Sequence, residues 1–119
     1  MFGKWHLGID GDYRPDRRGF DVAVTDIKDS QRNHFDPTMQ RNGVPEKHKG
    51  YRTDIFFNEA MKYIESKKDK KFFCYIPTYT PHDPLIVPDK YSNVYKPHHR
   101  KNFLGMVANV DKNLSLIHI

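Results

Sequence analysis

Lys4 and His6 stand two positions apart between Gly3 and Gly8. In an extended segment residues i and i+2 point to the same side. The ammonium and the imidazole would then share one face, and Trp5 would take the other, where its ring can enter a core. A fixed cation beside a group that titrates near neutral pH suits an anion that must be held while protons are exchanged. A further histidine, His82, lies in Pro81-His82-Asp83-Pro84, a loop bracketed by prolines. Taken singly, these residues also fit a plainer reading: a surface lysine, a core tryptophan and satisfied histidines. Their value depends on the elements that bring them together.

Residues 1–8 read as the end of a strand running into a turn. Residues 9–50, dominated by Gly, Asp, Arg, Asn and Pro, read as one long connection; loops beyond about 12–15 residues are usually functional or ordered by a partner. A helix is predicted from Thr53 or Asp54, either of which can serve as N-cap, to Lys68, burying Phe56, Phe57, Ala60, Met61 and Ile64. Phe72–Ile76 is a short apolar run bounded by lysines and Pro77, the pattern of a strand covered on both faces in a parallel sheet. Helix followed by buried strand implies an α/β crossover. The loop carrying His82 would then leave the carboxyl end of that strand, where open α/β sheets place their ligands. A second helix is predicted over 102–114, with Phe103, Val107, Val110 and Leu114 as its packing stripe.

Composition narrows the function classes. Hydrophobic residues are 37% of the 119, mean hydropathy is −0.83 and there are eight prolines, which leaves a thin core for a self-sufficient domain. The net charge of +5 raises the possibility of a basic nucleic-acid-binding module. The basic residues are dispersed, however. Lys67-Lys68-Asp69-Lys70-Lys71 closes the first helix, where cations complement the macrodipole. His98-His99-Arg100-Lys101 caps or precedes the second, and no nucleic-acid motif accompanies either cluster. No nucleic-acid partner is therefore expected. Nor is a membrane span, since no stretch approaches the roughly 18–20 apolar residues one requires. The single cysteine, Cys74, reads as a buried structural thiol. Asp10, Asp12 and Asp16 lack the Gly and terminal Glu of an EF-hand and read as turn formers, so no metal ligands are expected in this span. His34, His48, His98, His99 and His118 read as surface histidines, and Ser30, Ser66, Ser92 and Ser115 lack a nucleophile-elbow context.

Gly3-Lys4-Trp5-His6-Leu7-Gly8, followed by Tyr13-Arg14-Pro15-Asp16-Arg17-Arg18-Gly19-Phe20-Asp21, resembles the second signature region of the type I sulfatases, the arylsulfatase family. The similarity continues in order through Phe35-Asp36-Pro37, Asn42-Gly43, Lys49-Gly50-Tyr51, Thr53-Asp54, Phe72-Phe73, Pro81-His82-x-Pro84 and Val107-x-Asn109-Val110-Asp111.

The resemblance implies an α/β fold, a partial alkaline-phosphatase-like α/β sandwich cut from a larger, mostly parallel sheet flanked by helices. Residues 1–114 would be a piece of the catalytic domain, with Met1 an internal methionine of a longer frame. Residues 115–119 depart from the family pattern, resemble translated sequencing-adapter read-through and are expected to be a non-native tail. The implied activity of the whole protein is hydrolysis of sulfate esters on a sulfated small molecule or carbohydrate; this span alone is expected to be inactive. A phosphodiesterase or phosphonate hydrolase of the same superfamily is the alternative. By similarity, Lys4 binds sulfate and the formylglycine nucleophile, His6 acts as base when that nucleophile is regenerated, and His82 contacts sulfate near the leaving group. Formylglycine, and the ligands of calcium or another divalent cation, would lie outside residues 1–119. Relatives of full length are usually exported to the periplasm, the cell exterior or the lysosome.

Overall fold

Residues 1–4 run between two neighbours that point the same way. The computed structural model describes residues 1–27 and 33–118, so Ser30 and Ile119 lie outside the described residues. On one side, Phe2 forms a parallel bridge with Val24; the Gly3 amide donates to the Val24 carbonyl and the Val24 amide to the Met1 carbonyl (3.0 and 2.9 Å). On the other, the amides of Phe2 and Lys4 donate to the carbonyls of Tyr75 and Pro77, both at 2.9 Å. The pairing expected of a parallel sheet is therefore present at both flanks of residues 1–4. Gly3 permits the close approach: its φ is +142°, and a Cβ there would lie 2.0 Å from the Pro77 carbonyl oxygen.

The run Phe72–Ile76 differs from the expected covered strand. It is extended but forms no regular strand. A parallel ladder would set the amide of residue 77 against the Phe2 carbonyl, and proline has no N–H to give. Its sides alternate instead of both being covered. Cys74 and Ile76 pack on the main core, while Phe73 is 73% exposed and stacks with Tyr75 on Phe20 (both pairs at 6.3 Å). Burial pushes the Cys74 thiol up from its usual range.

The segment expected to be one long connection is largely built. β1 (Val24–Asp26), β2 (Thr38–Arg41) and β3 (Val44–Lys47) form an antiparallel sheet in the order β1-β2-β3. Arg41 pairs with Val44, leaving Asn42-Gly43 as a two-residue turn with φ of 48° and 85°, the geometry of a type I′ hairpin. The Asn42 side chain ties that turn to β1, accepting from the Ala23 amide (2.8 Å) and donating to the Asp21 carbonyl (3.0 Å). Asp36 and Gly50 close the base of the excursion. Each amide bonds to the other residue, Asp36 to the Gly50 carbonyl (2.9 Å) and Gly50 to the Asp36 carboxylate (2.7 Å).

α1 (Arg52–Lys67) has its N-cap at Tyr51, two or three residues before the expected Thr53 or Asp54. Neither expected cap residue caps. Thr53 meets the Thr80 hydroxyl at 3.2 Å, and Asp54 accepts from Asn109 (2.7 Å) and Asn113 (2.8 Å). The apolar face is buried as expected at Phe56, Phe57 and Ala60, joined by Ile55. Phe2, Val24, Met39, Ile55, Phe56 and Ala60 make one core beneath residues 1–4, each large apolar side chain contributing about 1.5–3 kcal/mol. Arg41 links sheet to helix through Glu59 (2.6 Å).

After α2 (Asp89–Ser92), α3 runs over Lys101–His118 and passes through residues 115–118. Its predicted stripe packs only in part: Val110 is half-buried, Phe103, Val107 and Leu114 are exposed, and the buried face is Gly105, Met106, Asn109 and Asn113. The Asn–Asp54 bonds and the close fit of Gly105 on Ser92, where a Cβ would lie 2.9 Å from the Ser92 nitrogen, hold α3 by that side. Among the described residues no helix is long and apolar enough to cross a membrane.

Candidate active site

Three co-directional segments end side by side: residues 1–4, β1, and the run through Pro77. Their carboxyl ends deliver Lys4 and His6, Asp26, and the loop holding Tyr79 and His82 respectively. The N-terminus of α1 adds Arg52 and Thr53. This is the edge at which α/β sheets place ligands, because the strands stop there and the following loops are free to diverge.

Lys4 and His6 line one cavity of about 130 Å³, whose lining also includes Thr25 and Asp26. Lys4 and His6 therefore meet at one cavity. Trp5 departs from its expected place. Its half-buried ring lines the same cavity, packs edge-on against Phe20 at 5.9 Å and donates from Nε1 to the Tyr13 carbonyl at 2.7 Å. An indole N–H needs an acceptor, and Tyr13 supplies one outside the core. Asp26 is 3% exposed, and its Oδ1 lies 3.6 Å from Arg52 Nε. Burial outweighs the opposing pull of the Arg52 and Lys4 charges and raises its carboxyl to about 6. The Thr25 hydroxyl is likewise buried, without a hydrogen-bond partner among the described residues.

His82 is exposed and does not line that cavity. Its Nδ1 lies 2.7 Å from the Asp83 carbonyl oxygen. A carbonyl only accepts, so Nδ1 carries the proton, leaving Nε2 as the nitrogen that can exchange one in the neutral ring. Tyr79 bridges the two halves of the site. Lys4 Nζ is 5.0 Å from its ring centroid, the His82 ring 5.4 Å, Arg52 Cζ 5.0 Å and the His34 ring 5.7 Å, edge-on.

Sequence reasoning missed Tyr79, Arg52 and Asp26, and it placed His34 on the surface. His34 is 3% exposed, stacked on Tyr51, and burial followed by the nearby Arg52 charge holds its imidazole below the usual range. No spacing rule links residues 26, 34, 52 and 79; only the tertiary packing of β1, α1 and the loops around them does. His48 is half-buried beside Glu46 (3.4 Å), whereas His98, His99 and His118 are exposed as expected. Asp16 is clasped by Arg14 through two hydrogen bonds (2.9 and 2.7 Å), which holds its carboxyl below the usual range. Among the described residues no group of three His, Cys, Asp or Glu could hold a metal ion. The described residues do not fit a calcium site.

The edge thus gathers a lysine and, on neighbouring loops, two histidines at the ends of parallel segments. The family model for Sulfatase matches residues 1–117, and the chain belongs to the sulfatase family. It is 30% identical over 116 residues to an uncharacterized sulfatase of Schizosaccharomyces pombe, covering 81% of this chain and 21% of that protein. It is also 30% identical over 115 residues to an arylsulfatase of Hemicentrotus pulcherrimus, covering 77% and 21%. An N-acetylglucosamine-6-O-sulfatase of Bacteroides thetaiotaomicron is 32% identical over 75 residues, 62% of this chain and 12% of that one. The chain thus spans about a fifth of the first two relatives. The crystal structure of Ps i-CgsB in complex with k-i-k-neocarrahexaose superposes with a TM-score of 0.86 at 27% identity, over 97% of this chain and 31% of that one. These matches bear out the partial α/β sandwich.

Proposed function

We propose that the protein containing this segment hydrolyses sulfate esters, and that Lys4, His6 and His82 supply its anion binding and proton transfer. One observation carries the reading: Lys4, His6 and the His82 loop converge at the carboxyl ends of neighbouring parallel segments, with Tyr79 touching both Lys4 and His82. Negative charge spreads over the sulfuryl oxygens and the departing ester oxygen as the S–O bond breaks, so preorganised donors there lower the barrier. Lys4 can donate to more than one such oxygen. His6, exposed and lining the cavity, is placed to act as the base, and His82 Nε2 can meet an oxygen of the sulfate or of the leaving group.

The resemblance supports Lys4 as a ligand of sulfate and of the nucleophile, His6 as the base and His82 as the contact near the leaving group. It also supports a formylglycine, which would supply the oxygen nucleophile, and a divalent cation, both held by residues outside 1–119. The names of relatives support a sulfated carbohydrate or aryl sulfate as substrate. Export rests on the resemblance alone.

The test is the complete enzyme assayed on paired aryl esters, a sulfate and the matching phosphate diester. Sulfate turnover exceeding diester turnover by about 10² or more is expected. Preference for the diester would overturn the reading in favour of the phosphoryl-transfer relatives.

A further inference from the structure

We infer that Tyr79 is a positioning residue that holds Lys4 by the face of its ring and ties it to the loop orienting His82. The inference rests on the reading of Lys4 and His82 as anion-binding groups. Among the described residues Lys4 has no ion pair within 4.0 Å, yet it is half-buried and its Nζ sits 5.0 Å from the Tyr79 centroid. A carboxylate partner would fix the ammonium but cancel the charge an anion needs. An aromatic face fixes it while leaving that charge intact.

The ring is itself restrained. Arg52, 1% exposed, lies 5.0 Å from the same centroid and is paired with Asp26 at 3.6 Å, so Asp26 is engaged with Arg52 and leaves Lys4 to the ring. His34 meets the ring edge-on at 5.7 Å. At its far end the Tyr79 hydroxyl donates to the Asp83 carbonyl (3.3 Å), the same oxygen that takes the His82 Nδ1 proton at 2.7 Å. One side chain thereby spans from the cation on residues 1–4 to the acceptor that sets the His82 tautomer.

Comparing Phe with Leu at position 79 isolates the ring face, since both lack the hydroxyl. In the complete enzyme, Tyr79→Phe should keep aryl-sulfate kcat/KM within about threefold of wild type, and Tyr79→Leu should lose about tenfold. In a Lys4→Ala background the gap between Phe and Leu should close to within about twofold, because the effect runs through Lys4. Leu matching Phe with Lys4 present would overturn the inference. So would a gap that persists without Lys4, which is the mark of a merely structural ring. If Lys4→Ala alone left kcat/KM unchanged, the sulfatase-site reading would fail first and take this inference with it. Should Tyr79→Leu not fold, Tyr79→Met, flexible and apolar, carries the same comparison.

Discussion

The two long helices both carry an apolar stripe of helical period, yet only α1 buries the stripe its sequence advertises. α1 lays Ile55, Phe56 and Ala60 on the core below residues 1–4, and its first turn reaches the site through Arg52 and Thr53. α3 turns Phe103, Val107 and Leu114 to solvent and is held instead by Asn109 and Asn113 on Asp54, with Met106 in a smaller core beside Tyr51 and Val87. Periodicity establishes that a face exists; the neighbour that takes it is decided elsewhere. For α1 that neighbour is the core beneath residues 1–4, and for α3 it is the half-buried carboxylate of Asp54 on α1.

Substitutions can break this contrast, each read as the thermal or urea midpoint of the complete protein. Phe56→Ala empties a core position on α1 and should cost about 3–5 kcal/mol. Asp54→Ala strands the Asn109 and Asn113 amides, which both donate to it. A cost of about 2–3 kcal/mol is expected, because two donors lose a charged acceptor in one step. A loss below about 0.5 kcal/mol would mean that something other than Asp54 docks α3. Phe103→Gln, on the exposed stripe, should change stability by no more than about 0.5 kcal/mol; a large loss would show that the stripe is covered in the complete protein.

Asp26 sharpens the comparison through pH. Its carboxyl is raised to about 6 by burial, against an unfolded value of about 3.9. A raised carboxyl contributes stability that is fully present below the unfolded value and lost as pH rises through the folded one. Between about pH 4 and pH 7 the wild type should therefore lose about 2 kcal/mol relative to Asp26→Asn. A stability difference that stays flat across that window would contradict the burial of an ionisable group at the site.

Much of the candidate site was legible because it is local. Lys4-x-His6 needs only an extended backbone to share a face, and Pro81-His82-x-Pro84 needs only to follow a strand. The fold was partly legible for the same reason: α1 and the parallel neighbour of residues 1–4 both follow from short patterns. The β2–β3 hairpin was missed although Asn42-Gly43 is its turn signal, because the flanking strands, Thr38–Arg41 and Val44–Lys47, are short and polar and show no apolar alternation. Tyr79 and the Asp26–Arg52 pair were invisible for a different reason. Their contacts join residues 26 to 75 positions apart in sequence, and only the packing of α1 against the parallel segments sets them side by side.

The central claim is that residues at these strand ends perform sulfate-ester chemistry, and the most direct test is kcat/KM for an aryl sulfate in the complete enzyme carrying Lys4→Ala, with His6→Ala and His82→Ala beside it. Each should fall by about 10² or more, the scale of a lost electrostatic or proton-transfer group, while Trp5→Phe stays close to wild type apart from packing. A well-folded Lys4→Ala enzyme with wild-type turnover would contradict the account.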